Sequence, residues 1–515
     1  MNSRSKNSIR NIIVAVSIAV VTMMASFVRR SVFAKMIAAE YLGLNGLFSN
    51  ILGYLSLTEL GIGGAITYAL YKPIKDNDEE KIKSIMSEYQ RMYRIVAAAI
   101  LFLGLIIMPF INHFIKGSAV PHLKLYFLIY LACQVINTLF YCKRTLIICN
   151  QKEYILSFVT GAFHLLTVVV QICILVIYRS YWGYLIALLG FAIIENIFVV
   201  HMADRLYPIL RDKNVAPLSS EESASLRKNI KALFLQRIGT ILSCSTDSIL
   251  ISKYVGLVLG GLYSNYLLIT DTVNKFLLKL FSAITASVGN LLTGESDEYS
   301  EEVFYHILFL NDWICGVISI CMICLYQPFI RAWLGTGFLL SDSIVYLTVA
   351  AFYIGASRLP LIIFKEAAGV YVRDRYKSLV EGIVNLVFSL ILVQKYGICG
   401  VIAGTIIAEL SIAVWVEAKA FFNVRFNKGI KNYFIIQLKY LVINLSLMFV
   451  CLMICNFATS GLDENQNIMN IVVRLLACLS VPNVVYLAKF HKKKDFRYFV
   501  NMLKSIYIQK YKRES

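Results

Sequence analysis

The sequence predicts an all-α protein that crosses a membrane many times. Three observations carry this. Of 515 residues, 58% are hydrophobic, and the mean hydropathy is +0.68. Only 16% are charged, where a soluble protein carries ~25%. Apolar runs of the ~20 residues that a helix needs to cross a bilayer recur from one end of the chain to the other.

About fourteen spans can be drawn in order. The first six are 9–37, 42–71, 93–115, 123–149, 155–178 and 182–207. The next eight are 229–254, 260–292, 303–330, 343–370, 379–396, 398–422, 433–457 and 468–490. The first begins MNSRSKNSIRNIIVAVSIAVV, with the basic start of a signal peptide. Its apolar run continues too far for one, so it reads as a retained span. Basic residues then follow the even-numbered spans, except the eighth, whose loop ESDEYSEE is acidic: Lys72, Lys75, Lys81 and Lys83; Lys143, Arg144 and Lys152; Arg205, Arg211 and Lys213; Arg373, Arg375 and Lys377; Lys419, Arg425 and Lys428. The opposite loops carry single charges such as Lys35, Lys116, Arg179 and Arg331. By the excess of Lys and Arg on the inner side, both termini are expected in the cytoplasm.

The longest interior connection, 205–228, is rich in Ser, Glu and Pro and divides the chain after six spans. A short echo supports a duplication. Gly46-Leu47-Phe48-Ser49-Asn50 returns 215 positions later as Gly261-Leu262-Tyr263-Ser264-Asn265. Both copies open a span of the same orientation, so the repeat is parallel. Superposed halves should align them. The expected organisation is an N-lobe over 1–212, a cytoplasmic linker over 213–228 and a C-lobe over 229–425. Two further helices over 426–490 and a basic tail over 491–515 complete it. In the tail, Lys492, Lys493, Lys494 and Arg497 alternate with Phe496, Tyr498 and Phe499. That pattern suits an amphipathic segment on an anionic membrane surface.

Composition excludes several functions. The net charge is +19, but the bases flank apolar runs, the pattern of orientation signals and lipid contacts and not of nucleic-acid binding. The loops opposite the termini are short, which leaves no room there for a catalytic domain. The cysteines lie mostly within apolar runs, as Cys133, Cys173 and Cys451 do, and form no disulfide framework. Cys321 and Cys324 make a CxxC inside a span, where packing is expected of them. Gly61-Ile62-Gly63-Gly64-Ala65 lacks the strand and the Lys-Ser/Thr of a phosphate loop and suits close helix packing. No HExxH, GxSxG or metal-spaced His/Cys cluster occurs, and no cofactor is expected.

Charges within spans are costly and point to a cavity or a partner. In the first span, Thr22, Ser26 and Arg30 lie at i, i+4 and i+8 on one face, with Arg29 ~100° away. They face a cavity or reach back to the interface. In the eighth span, Asp271, Lys275 and Lys279 share a face, with Asp271 placed to pair with Lys275. They form a cationic site or an ion-pair ladder. Arg358 is mid-span, two residues before Pro360, which removes a backbone donor and bends a helix. It suits a site or gate, or an internal ion pair. Arg237 and Asp247 in the seventh span are further candidates, Arg237 lying near the inner interface. Glu59, with Glu195, Asp312, Glu381 and Glu409, could pair with these bases or carry a coupling ion. Arg and Lys in a wet cavity imply an anionic ligand, above all phosphate.

Residues 41–74, YLGLNGLFSNILGYLSLTELGIGGAITYALYKPI, resemble the Wzx-type oligosaccharide flippases of the polysaccharide-transport family. That family belongs to the multidrug/oligosaccharidyl-lipid/polysaccharide exporter superfamily. The resemblance continues through 236–256, 261–266, 286–296 and 358–390. It implies two six-helix bundles in a V around a central cationic cavity. It also implies transport of a polyprenyl-diphosphate-linked oligosaccharide from the inner to the outer leaflet of a bacterial cell membrane, for lipopolysaccharide O-antigen or capsule assembly. Partners would be that glycan, membrane lipids, and the polysaccharide polymerase and glycosyltransferases of the pathway. Family members for cell-wall precursors carry cavity arginines on helices 1, 2 and 8. Arg29 and Arg30 match the first. The second span has Glu59 and no matching base, and the eighth has lysines. The alternatives are a drug or organic-cation antiporter of the same superfamily, or a membrane polysaccharide polymerase or acyltransferase. A polymerase would need a sizeable outer catalytic loop and an acyltransferase a buried catalytic His, and neither is evident.

Overall fold

The computed structural model describes residues 3–55, 66, 69–70, 72–74, 76–116, 120–150, 152–211, 246–282, 284–368, 370, 376–426, 429–461 and 467–501. The regular elements among them are all helical. Eleven helices are long and apolar enough to cross a membrane, as a multi-pass membrane protein requires. Two further expected spans, 42–71 and 229–254, run into residues outside the described set, as does the expected linker 213–228. The chain divides into two compact units, Met1–Ser264 and Asn265–Ser515.

The first unit holds α1 (Ser3–Met36), α2 (Ala39–Leu55), α3 (Glu79–Ile107), α4 (Leu123–Cys149), α5 (Glu153–Tyr178) and α6 (Tyr181–Leu206). It also holds the start of α7 (Leu257–Ser282). α3 begins well before the expected residue 93. Asp78 caps it by accepting from the Lys81 amide at 3.0 Å, and Glu79 and Glu80 occupy its first turn, where the helix dipole favours acids. Ile82, Ile85, Met86, Tyr89 and Tyr93 are buried along this extension. The extension is amphipathic, so apolar run length alone could not reveal it.

Two helix contacts depend on missing side chains. A Cβ on Gly43 of α2 would overlap the Leu257 carbonyl of α7, and one on Gly261 would overlap the Ala39 carbonyl. The helices carrying the two echo fragments therefore meet backbone to backbone. Gly256, at φ +120°, turns the chain into α7, a conformation open to glycine at little cost.

The second unit continues with α8 (Thr285–Gly294), α9 (Asp297–Leu334), α10 (Asp342–Ser357), α11 (Leu359–Ala367), α12 (Lys377–Tyr396), α13 (Ile398–Ala408), α14 (Val414–Arg425), α15 (Lys431–Ala458) and α16 (Asn467–Phe490). Three expected single spans are interrupted. The span drawn as 260–292 is α7 and α8, separated after Ser282. The span drawn as 343–370 is α10 and α11, parted at Arg358 with Pro360 in the first turn of the second piece; the missing N–H of proline is harmless there. Between α13 and α14, Glu409–Ala413 form a π-turn, a local widening that re-aims the side chains on either side.

α9 is the 38-residue axis against which α10, α15 and α16 pack. Phe309, Leu447, Cys451, Tyr486 and Phe490 form one apolar core there. Trp313 stacks on Tyr486, ring centres 5.5 Å apart and planes 3° from parallel, and donates its indole N–H to Asn483 Oδ1 at 2.9 Å. Phe496 and Phe499 pack on this core, Asp495 meets His306 Nδ1 at 2.7 Å, and Tyr498 stacks on the same imidazole. Phe496, Tyr498 and Phe499 are thus half-buried against protein, while Lys492, Lys493, Lys494 and Arg497 are exposed.

Candidate functional site

In the first unit, the polar stripe of α1 is bound to its neighbours by neutral groups. Thr22 and Ser26 donate back to Ile18 O and Thr22 O, each at 2.8 Å, and Ser26 Oγ also meets His164 Nε2 at 3.1 Å. Arg29 Nη1 donates to Gln171 Oε1 of α5 at 3.1 Å. Gln171 is fully buried and donates in turn to Tyr184 O of α6 at 3.2 Å. Its amide is thus held with the oxygen toward Arg29. Arg30 Nη2 donates to Ser264 Oγ of α7, the serine of the second echo copy. Tyr130 and Tyr184 lie close enough to act on the Arg30 charge.

An amide and aromatic wall stands beside the arginines. The hydroxyls of Tyr130 and Tyr181 both donate to Asn45 Oδ1 at 2.6 Å, and Phe33 packs edge-on against Tyr184 and Tyr181. Asn45 immediately precedes the first echo copy, so both copies contribute to this region. Arg29 makes no ion pair among the described residues. A guanidinium held only by a neutral amide keeps its charge and spare donors for an incoming anion.

In the second unit, Asp271, Lys275 and Lys279 of α7 are all exposed, and Asp271 and Lys275 interact electrostatically. They form an exposed polar face of α7.

Arg358 has the opposite setting. It is 6% exposed, and its Nε and Nη2 donate to Glu417 Oε2 at 3.1 and 2.8 Å. Lys377 Nζ donates to Glu417 Oε1 at 2.7 Å and lies 3.1 Å from Glu381 Oε2. Lys365 approaches Glu417 at 4.0 Å, and Glu409 approaches Arg358 at 3.8 Å. Three bases and three acids close on one another. Of the two readings open for Arg358, this structure holds it in the internal ion pair. Glu195 is paired likewise, with Arg144 at 2.9 Å.

Arg29 and Arg30 are thus brought together, as are Asp271 and Lys275, whereas Arg358 belongs to a separate cluster. Asp247 is half-buried in the helical stretch 246–250. Arg237 and Glu59 lie outside the described residues. Sequence reasoning did not single out Gln171, Asn45, Ser264 or the tyrosines. The signal available for Gln171 was one amide in the apolar run TVVVQICILV. Glu417 was also missed, although it is an acid close in the chain to Glu409, within the expected span 398–422. Cys324, Cys455 and Cys478 belong to the apolar core, the packing role expected of the CxxC. Their sulfurs lie within 4.8 Å of one another, a donor set that could hold a thiophilic ion.

No protein-family model and no curated protein matches the sequence. Solved structures match its fold. The lipid II flippase MurJ, in an inward closed conformation, superposes with a TM-score of 0.67 at 16% identity, over 92% of this chain and 99% of that one. An inward-facing multidrug-resistance MATE transporter of the MOP superfamily gives 0.57 at 16% identity, over 79% and 98%. A variant of the Vibrio cholerae MATE transporter VcmN gives 0.55 at 14% identity, over 83% and 99%. The fold is that of MOP-superfamily transporters.

Proposed function

We propose that this chain is a transporter that carries a polyprenyl-diphosphate-linked oligosaccharide from the inner to the outer leaflet of a bacterial cell membrane, by alternating access, for cell-surface polysaccharide assembly. The observation that carries the reading is Arg29, held inside an apolar bundle by the neutral Gln171 with no acid beside it among the described residues. A diphosphate supplies the missing anion. The likeness of fold to a lipid II flippase and the resemblance at 41–74 both support the choice. Arg30 is assigned to the same substrate, and Lys275 and Lys279 of the second unit are proposed as further substrate bases. Arg237 is proposed as a further base, and Arg358 as a base released from Glu417 only if the transport cycle opens that pair. Glu59, Asp247 and Asp271 are proposed for ion coupling or charge pairing. The protein partners would be the polymerase and glycosyltransferases of the pathway.

The substrate is anionic, and the cytoplasm is negative. Moving one negative charge outward through 100 mV is favourable by ~2.3 kcal/mol, so the membrane potential alone can drive export. The test is flipping of a fluorescent lipid-linked sugar in proteoliposomes, under a valinomycin–potassium potential and without pH or sodium gradients. Transport toward the positive side should accelerate. Flipping that ignores the potential and follows a proton or sodium gradient would shift the driving role to the intramembrane acids. Transport of organic cations in place of the lipid would favour the antiporter reading.

A further inference from the structure

Four helices of the second unit end near one another: α9 at Leu334, α10 at Asp342, α15 at Ala458 and α16 at Asn467. Among these ends lies a cavity of about 480 Å³, lined by Arg331, Arg474, Gln327, Asn456 and Asn470 together with apolar Val345 and Leu452. None of these residues belongs to the candidate site described above.

The two arginines make this cavity chemically distinctive. Arg474 is held rigidly by neutral acceptors only. Its Nε donates to Asn470 Oδ1 at 2.7 Å, and its Nη2 donates to Thr459 Oγ1 at 2.9 Å and Asn456 Oδ1 at 3.1 Å. Arg331 makes no side-chain hydrogen bond or ion pair among the described residues, and its Nε is closed off from solvent without a partner. The single acid in the lining, Asp342, accepts from Gln327 Nε2 at 3.0 Å. Two guanidinium groups and one carboxylate thus line the cavity. Unpaired guanidinium N–H donors favour an oxyanion, and phosphate matches their fork.

The geometry points to a second anionic-ligand site here, for a phosphate-bearing group, built by the α15–α16 pair against α9 and α10. Its volume lies in the range of pockets that enclose a whole small ligand and exceeds what one phosphate fills. The apolar wall can take the glycerol or first methylenes of a lipid headgroup. The shared chemistry is the phosphate, and its source is either a membrane phospholipid or a free phosphate. Binding here does not depend on what the protein transports.

The experiment uses the full chain in detergent, with bound lipid counted by native mass spectrometry and stability followed by thermal unfolding. The probes are phosphatidylglycerol, phosphatidylcholine and inorganic phosphate. Phosphatidylglycerol should be retained over phosphatidylcholine, and Arg331→Gln should weaken that retention by about tenfold. Because the Arg331 side chain has no hydrogen-bond or ion-pair partner to lose among the described residues, the lipid-free melting temperature of Arg331→Gln should stay at the wild-type value. Arg474→Gln should lose binding too, with a lower melting temperature, because it also unties Asn456, Thr459 and Asn470. Displacement of the lipid by inorganic phosphate would assign the site to free phosphate, and no displacement would assign it to the lipid headgroup. Equal retention of the two lipids, or wild-type retention by Arg331→Gln, would overturn the proposal.

Discussion

Arg29 and Arg358 both lie in apolar helices, and both were read from the sequence as possible substrate bases. Their surroundings differ in one respect. Arg29 meets a neutral amide, Gln171, while Arg358 meets the carboxylate of Glu417, which Lys377 and Lys365 also approach. The first setting leaves a charge uncompensated inside the bundle, and the second cancels it. An uncompensated charge is tolerated where a ligand or water can reach it. A cancelled one organises helix packing, as at the break between α10 and α11. The balance of charge around each base, and not its position along a span, is what separates the two settings.

The strongest way to break this comparison is Glu417→Ala. It leaves Arg358 and Lys377 buried without their shared carboxylate, and losing one partner of such a pair costs about 3–5 kcal/mol. Little of the variant should reach the membrane folded, and thermal unfolding of what does should shift sharply downward. A wild-type melting curve would show that the cluster does not hold the unit together.

Arg29→Ala should behave in the opposite manner. It removes one hydrogen bond to a neutral acceptor, worth about 1–2 kcal/mol of stability, so the protein should still reach the membrane. Flipping of lipid-linked sugar should fall by about tenfold or more, the effect of losing one charge-assisted contact. Normal flipping with a lowered melting temperature would move Arg29 to the structural side.

Lys275→Ala sharpens the same distinction on an exposed residue. Export should be abolished, and folding and membrane insertion should be unaffected, because the lysine is exposed and Asp271 is its one interacting partner among the described residues. Asp271→Asn should leave export closer to the wild-type rate. If Lys275→Ala exports normally, the polar face of α7 is an ion-pair ladder. Lys279→Ala, one turn further on with no described partner, is expected to give the smallest change in the same assay.

Much of the fold was legible in the chain. The apolar runs of α4, α5, α6, α12, α15 and α16 match the expected spans to within a few residues, because a bilayer demands uninterrupted apolar length. Pro360 marked the break at Arg358 through its missing N–H. The early start of α3 and the interruption after Ser282 were not legible. The one is amphipathic, and the other carries no proline or glycine at the break.

The candidate site was legible only by half. The sequence alone determined which residues could carry charge inside the bundle, and the helical period determined that Thr22, Ser26 and Arg30 share a face. Tertiary structure decided their partners. Gln171 stands 142 residues from Arg29, and Glu417 stands 59 from Arg358. In a span that is apolar on every side, periodicity does not say which face meets which neighbour. That depends on how each helix is rotated about its own axis, and close approaches such as Gly43 on Leu257 or Gly161 on Ile18 show how tightly packing constrains the rotation. Whether a buried arginine is compensated or left open was therefore settled by packing between helices far apart in the chain.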